Sequence, residues 1–214
     1  MTASEHVEQL MKRRPELAGC REELISAIAL LVETFSSGHR LFLCGNGGSC
    51  ADAEHIAGEL LKSFLLPRSL PESDRRQFKQ RFGERGEAVA ARLQCGLPTM
   101  TLHGHPGLLT AFANDVDPYN IYAQQLYVFG NAGDLLLGIS TSGNAENVAR
   151  AMMTAQVKSI KTLLLTGADG GRCASLADLV IRVPERETYR IQECHLPIYH
   201  MLCQAVEEHF YGTR

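Results

Sequence analysis

The sequence predicts an α/β fold in which a parallel sheet lies buried between helices. Three observations predict it. Short, wholly apolar runs recur along the chain, and segments with helical periodicity separate them. Two of the runs end directly in glycine- or serine-rich turns that open a helix. Strands without polar–apolar alternation must be covered on both faces, as in parallel sheets. Crossovers of one hand then bring the strand-end turns to a single edge, where α/β proteins bind ligands.

The elements follow in order. Residues 4–35 read as helical: Leu24, Ile25, Ile28, Leu31 and Val32 recur at helical spacing, and Ser36-Ser37-Gly38 stops the pattern. Residues 1–38 therefore form an N-terminal helical segment that packs on the domain or on a partner subunit. The first strand, 41–44, runs into Gly45-Asn46-Gly47-Gly48-Ser49 and a helix to about Phe64. A second strand covers 98–102. The third, 134–140, ends in Thr141-Ser142-Gly143-Asn144 before a helix over 145–158. The fourth, 161–165, precedes Thr166-Gly167-Ala168-Asp169-Gly170-Gly171; the fifth covers 179–183, and a last helix spans 189–210. Residues 67–96 break the alternation. They are basic (Arg68, Arg75, Arg76, Lys79, Arg81, Arg85, Arg92), with Phe78, Phe82, Val89 and Leu93 in loose helical phase. This stretch reads as an inserted helix or helical pair whose charges face solvent.

Composition sets the outer limits. The 214 residues are 45% hydrophobic and 21% charged, enough for one compact domain over 1–214 and too few for two. Lys and Arg total 21 against 24 Asp and Glu, a net charge of -3, which argues against a general nucleic-acid or membrane surface. The seven cysteines are scattered without a C-x-x-C pair, so neither a zinc knuckle nor a disulfide framework is expected; most read as small buried apolar residues. No apolar signal core opens the chain and no apolar run approaches membrane-spanning length, so the expected location is the cytoplasm.

Two turns carry the chemistry. In 45–49 the glycines permit a tight turn with bare amides, and a helix start adds partial positive charge, a cradle for an anion or sugar hydroxyl. It is not a nucleotide P-loop, because no Gly-Lys-Ser/Thr follows, and Cys50 stands where a dinucleotide fingerprint needs its third glycine. A tight turn without ligand is the plain alternative. Ser140-Thr141-Ser142-Gly143-Asn144 is the stronger signal, since three consecutive hydroxyls at a helix start can surround one phosphate. Helix capping by Ser142 or Asn144 would use only one of them.

His55 and Glu59, four residues apart, project from one helix face; Gln192 and His200 fall on broadly one side of the last helix. A carboxylate and an imidazole are what aldose–ketose isomerisation uses to move protons through a cis-enediol. The same four side chains equally make an N/O metal site, and a surface ion pair is the bland reading of His55 and Glu59.

Cys44-Gly45-Asn46-Gly47-Gly48-Ser49, His55-x-x-x-Glu59, Asn114-Asp115, Gly138-Ile139-Ser140-Thr141-Ser142-Gly143-Asn144 and Arg190-Ile191-Gln192-Glu193 with His200 together resemble the motif set of the SIS (sugar isomerase) domain family, most closely its phosphoheptose isomerases. The resemblance covers nearly the whole chain apart from the insertion. It implies a five-stranded parallel sheet flanked by helices and a homotetramer with active sites at subunit interfaces. It also implies conversion of sedoheptulose 7-phosphate to D-glycero-D-manno-heptose 7-phosphate. By the same resemblance Glu59 is the base and His200 its acid/base partner. Asn46, Gly47, Gly48, Ser49, Asn114, Asp115 and Gln192 contact substrate, and Ser140, Thr141 and Ser142 hold the phosphate. Zinc, found in some members, is held by His55, Glu59, Gln192 and His200. The sequence departs from the pattern at Ala145, where a serine often adds a phosphate contact, at Tyr189, where some members carry aspartate, and at Ser63, near a position that can hold arginine. A non-catalytic SIS module, of the kind that associates with the bacterial replication initiator, is the competing reading; the presence of both Glu59 and His200 discriminates against it.

Overall fold

The computed structural model describes residues 1–212. Its sheet has five strands, all parallel, in the order β2-β1-β3-β4-β5. They are β1 (Leu41–Gly45), β2 (Thr99–Thr101), β3 (Leu135–Ser140), β4 (Lys161–Thr166) and β5 (Leu179–Arg182). The helices are α1 (Ala3–Arg13), α2 (Arg21–Ser36), α3 (Gly48–Leu61), α4 (Glu72–Ala90), α5 (Pro106–Asp115), α6 (Ile121–Phe129), α7 (Glu146–Val157) and α8 (Thr188–Tyr211).

The continuous apolar runs divide between two cores because successive side chains in a strand point to opposite faces. Leu41, Leu43, Leu135, Leu137, Ile139, Leu163 and Leu165 join α1, α2, α3 and α8 on one side. Phe42, Cys44, Leu136 and Leu164 join α6 and α7 on the other. From β1 the chain moves outward to the edge strand β2 and returns past β1 to β3. The turns after β1 and β3 therefore flank the point where the strand order reverses, the usual ligand crevice of an open α/β sheet.

Two expectations gain detail and a third needs correction. The N-terminal segment is not one helix: Pro15 disfavours helical backbone at Arg14 (φ -136°, ψ 70°), and a short 3₁₀ stretch separates α1 from α2. A capping box between Thr2 and Glu5 fixes the start of α1. Second, the insertion is a bent helical pair, broken at Gly83 (φ 61°), and Gly86 packs on the Phe78 carbonyl so closely that any Cβ would overlap it. Its apolar phase does not seat on the domain, for Phe82, Val89 and Leu93 are exposed. Third, its basic residues are not all solvated. Arg68 is fully buried: Nε bonds Glu207 Oε1 at 2.8 Å, and the guanidinium also donates to the carbonyls of Leu60 (2.7 Å) and Glu59 (3.1 Å). Those carbonyls lie in the last turn of α3, where no helical donor remains. Glu207 in turn accepts the backbone N–H groups of Phe64, Leu65 and Leu66.

Between β2 and β3 the structure adds α5 and α6. Helix α8 contains Pro197, which has no N–H to give to the Glu193 carbonyl one turn back. Arg14 fills the vacancy, its Nη1 donating to that carbonyl at 3.3 Å.

Candidate active site

At the end of β1, Gly45 approaches the Ser49 backbone so closely that an added Cβ would lie 2.6 Å from its carbonyl oxygen. Gly47 adopts φ 55° and begins α3 with no side-chain cap, which leaves the positive end of the helix open. The Tyr122 hydroxyl donates to the Gly45 carbonyl at 2.6 Å and lies 3.0 Å from Asn46 Oδ1. Asn46 then pairs reciprocally with Asn147 of α7, each Nδ2 donating to the other's Oδ1 at 2.9 Å. These bonds lash the first turn to the second. Tyr122 and Asn147 carry no motif, so sequence reasoning missed both.

In the second turn Ser140 is buried, Thr141 half-buried and Ser142 exposed. Gly143 has φ 65°, and a Cβ there would overlap the Gly170 carbonyl. The turns after β3 and β4 thus meet backbone to backbone, with Gly167 N–H donating to the Thr141 carbonyl at 3.0 Å. The N-cap of α7 is Ala145, and no side chain caps the helix. Capping therefore does not explain the run of hydroxyls, although Ser142 Oγ does accept from the Asn144 N–H at 3.2 Å.

Helices α3 and α8 lie side by side in the same direction, with Gly48 against Gln192 and, two turns on, His55 against Tyr199 and His200. His55 Nε2 is 3.2 Å from Glu59 Oε1 and 3.4 Å from His200 Nε2. On its other side His55 Nδ1 meets the Tyr199 hydroxyl at 3.0 Å, and that hydroxyl donates to Asp52 Oδ1 at 3.2 Å. The Asp52 carboxylate can only accept, so it takes the single phenolic proton and the phenol oxygen accepts from Nδ1–H. His55 is thereby held with a bare Nε2 aimed at Glu59 and His200. Burial first, and then the facing His55, hold the His200 pKa below the ordinary imidazole value, with Glu59 opposing them. Lys62 Nζ stands 3.4 Å from the second oxygen of Glu59.

Only part of this donor set fits a divalent cation, because the donor atoms of His55, Glu59 and His200 do not all lie within 4.8 Å of one another. Ligand atoms around tetrahedral zinc sit about 3.3–3.4 Å apart, and both distances from His55 Nε2 match that edge. Gln192 is separate: eight residues of helix place it roughly 12 Å along the axis from His200, with its amide packed on Gly48, where an added Cβ would displace it. Ser49 is buried, and Asn114 and Asp115 sit exposed at the end of α5, bonded to each other at 2.8 Å. Among the described residues, the group of three ligating side chains whose donor atoms all lie within 4.8 Å of one another is a different one, Cys50, Glu54 and His103.

A reversal point of a parallel sheet, flanked by two helix-opening turns with an imidazole–carboxylate cluster beside them, defines a phosphosugar-handling α/β domain of the SIS type. No protein-family model matches the chain. It is 37% identical over 205 residues to phosphoheptose isomerase of Helicobacter pylori strain P12, covering 96% of this chain and 92% of that one. Among solved structures, phosphoheptose isomerase from Neisseria gonorrhoeae superposes with a TM-score of 0.73 at 28% identity, over 95% of this chain and 96% of that one. The Francisella tularensis phosphoheptose isomerase gives 0.73 at 27% identity, over 94% of each. The chain belongs to the phosphoheptose isomerase family.

Proposed function

We propose that this protein is an aldose–ketose isomerase that interconverts sedoheptulose 7-phosphate and D-glycero-D-manno-heptose 7-phosphate, with Glu59 as base and His200 as its acid/base partner. The placement of His55 3.2 Å from Glu59 and 3.4 Å from His200, next to two turns at the sheet's reversal point, carries this reading. The phosphate lies on Ser140, Thr141 and Ser142 at the positive end of α7. Asn46, Gly47, Gly48 and Ser49 from the first turn, with Asn114, Asp115 and Gln192, hold the sugar. Glu59 takes the proton from the carbon beside the carbonyl and returns it to the neighbouring carbon. His200, whose pKa is held below the ordinary imidazole value by partial burial and by His55, passes a proton between the two oxygens of the cis-enediol. The zinc ligand set that the family resemblance implies, His55, Glu59, Gln192 and His200, is not gathered within one chain, because Gln192 lies about 12 Å along α8 from His200.

The protein acts as a cytoplasmic homotetramer with sites at subunit interfaces. In support, α5 buries none of its residues, and Leu108, Val116, Tyr119, Tyr127 and Val128 leave apolar surface for a second copy. All seven cysteines are free, as a reducing compartment would keep them. No described helix is long and apolar enough to cross a membrane.

The test is product analysis after incubation with seven-, six- and five-carbon ketose phosphates. Turnover of the seven-carbon substrate is expected; its absence while another ketose phosphate reacts would overturn the substrate. Glu59→Gln should abolish turnover and keep substrate affinity within about tenfold, and normal turnover would remove Glu59 as base. Ser142→Ala should weaken phosphosugar binding; unchanged binding would remove that turn from the site.

A further inference from the structure

We propose that Cys50, Glu54 and His103 form a divalent-cation site of the zinc class, distinct from the His55 cluster. Cys50 and Glu54 stand four residues apart on α3, on a face rotated about 140° from that of His55 and Glu59. His103 follows the last core residue after β2, Leu102, and faces them. The Cys50 thiol, a Glu54 oxygen and an imidazole nitrogen of His103 all lie within 4.8 Å of one another.

A second observation points to a ligand. His103 is only 9% exposed, yet neither ring nitrogen has a hydrogen-bond partner. Its Nε2 comes within 3.4 Å of Glu54 Oε1 without meeting hydrogen-bond geometry. A buried imidazole with both nitrogens unmatched is rare and costly; a cation bound through Nε2 removes half of that cost. Burial lowers the His103 pKa, which keeps the ring in the neutral form that ligates. Glu54 is exposed, so the site is open to solvent on one side.

The ligand set selects the metal. A thiolate with an imidazole disfavours magnesium and calcium, and a carboxylate with three protein ligands in all suits zinc with one position left to water. Charge balances as well: the divalent ion meets one carboxylate, one neutral imidazole and one thiolate. Burial, and then Glu54, hold the Cys50 pKa above the ordinary thiol value, so the free thiol is protonated. Binding the ion must expel that proton to solvent, and affinity therefore rises with pH. The bound ion would pin the first turns of α3 to the segment leaving β2.

Cobalt(II) tests this, because only this set contains sulfur. Titrated into the chelator-treated full chain, cobalt should give a saturable near-ultraviolet sulfur-to-metal charge-transfer band that zinc abolishes. Cys50→Ser should lose the band, while Cys95→Ser and His55→Asn keep it. Glu54→Gln, at an exposed position that leaves folding intact, should weaken cobalt binding by about tenfold or more. A wild-type protein without the band, a band that survives in Cys50→Ser, or unchanged affinity in Glu54→Gln would overturn the proposal.

Discussion

Replacing Arg68 with methionine tests how the insertion is anchored to the rest of the molecule. The side chains of Arg68 and Glu207 are 0% and 1% exposed, so water screens neither. The change removes the 2.8 Å ion pair and both donors to the end of α3 while leaving the carboxylate buried. Breaking one side of a buried pair costs about 3–5 kcal/mol. Glu207 keeps its three backbone donors, which places the loss near the lower end, about 3 kcal/mol. For a chain of this length each kcal/mol moves Tm by about 2–4 °C, so the expected fall is about 6–12 °C. Thermal and urea unfolding followed by circular dichroism measure it. Arg75→Met is the control, since Arg75 pairs with Glu72 at the surface and its loss should leave Tm unchanged. A loss below about 1 kcal/mol for Arg68→Met would refute the reasoning, because the pair would then be solvated in solution.

Tyr199→Phe keeps the ring but releases His55 to either tautomer. Turnover should fall about 10–100-fold with little change in Tm, and nitrogen NMR of His55 reports the tautomer directly. Gly143→Ala forces a side chain onto φ 65° against the Gly170 carbonyl; the strain alone is about 1–3 kcal/mol, and phosphosugar affinity, read by calorimetry, should drop with it. His195 is wholly buried, and burial pushes its pKa down from 6.5 to about 4. The unfolded chain therefore binds a proton that the folded one refuses, and stability present above pH 6.5 is lost as pH falls towards 4. The loss is about 3 kcal/mol; urea unfolding of wild type and His195→Phe across that window should show a slope in the first and a shallower one in the second.

The strands were legible because a buried parallel strand announces itself as an apolar run, and all five lie within two residues of their expected ends. Helices α5 and α6 were not. Helix α5 buries no residue and so has no inward stripe, whereas α6 is apolar on most sides, so neither shows the 3.6-residue contrast that marks an amphipathic helix. Arg68 could not be told from the six other basic residues of its stretch, because burial follows from where the chain turns back and not from composition. Within the site, His55 and Glu59 were visible through their spacing. The groups that orient them, Tyr199 and Asp52, have no pattern of their own and emerge only when α3 and α8 are laid together.

The bond from Arg14 to the Glu193 carbonyl gives the first helix a share in events at the far end of the chain. The proline lies between Gln192 and His200, so the helix that carries both is mended at its weak turn by a side chain about 180 positions earlier. A shortened form beginning after Arg14 would retain every motif residue and match its relatives across all of them. Its last helix would still have an orphaned carbonyl, that of Glu193, in the turn that links the two groups that must stay aligned.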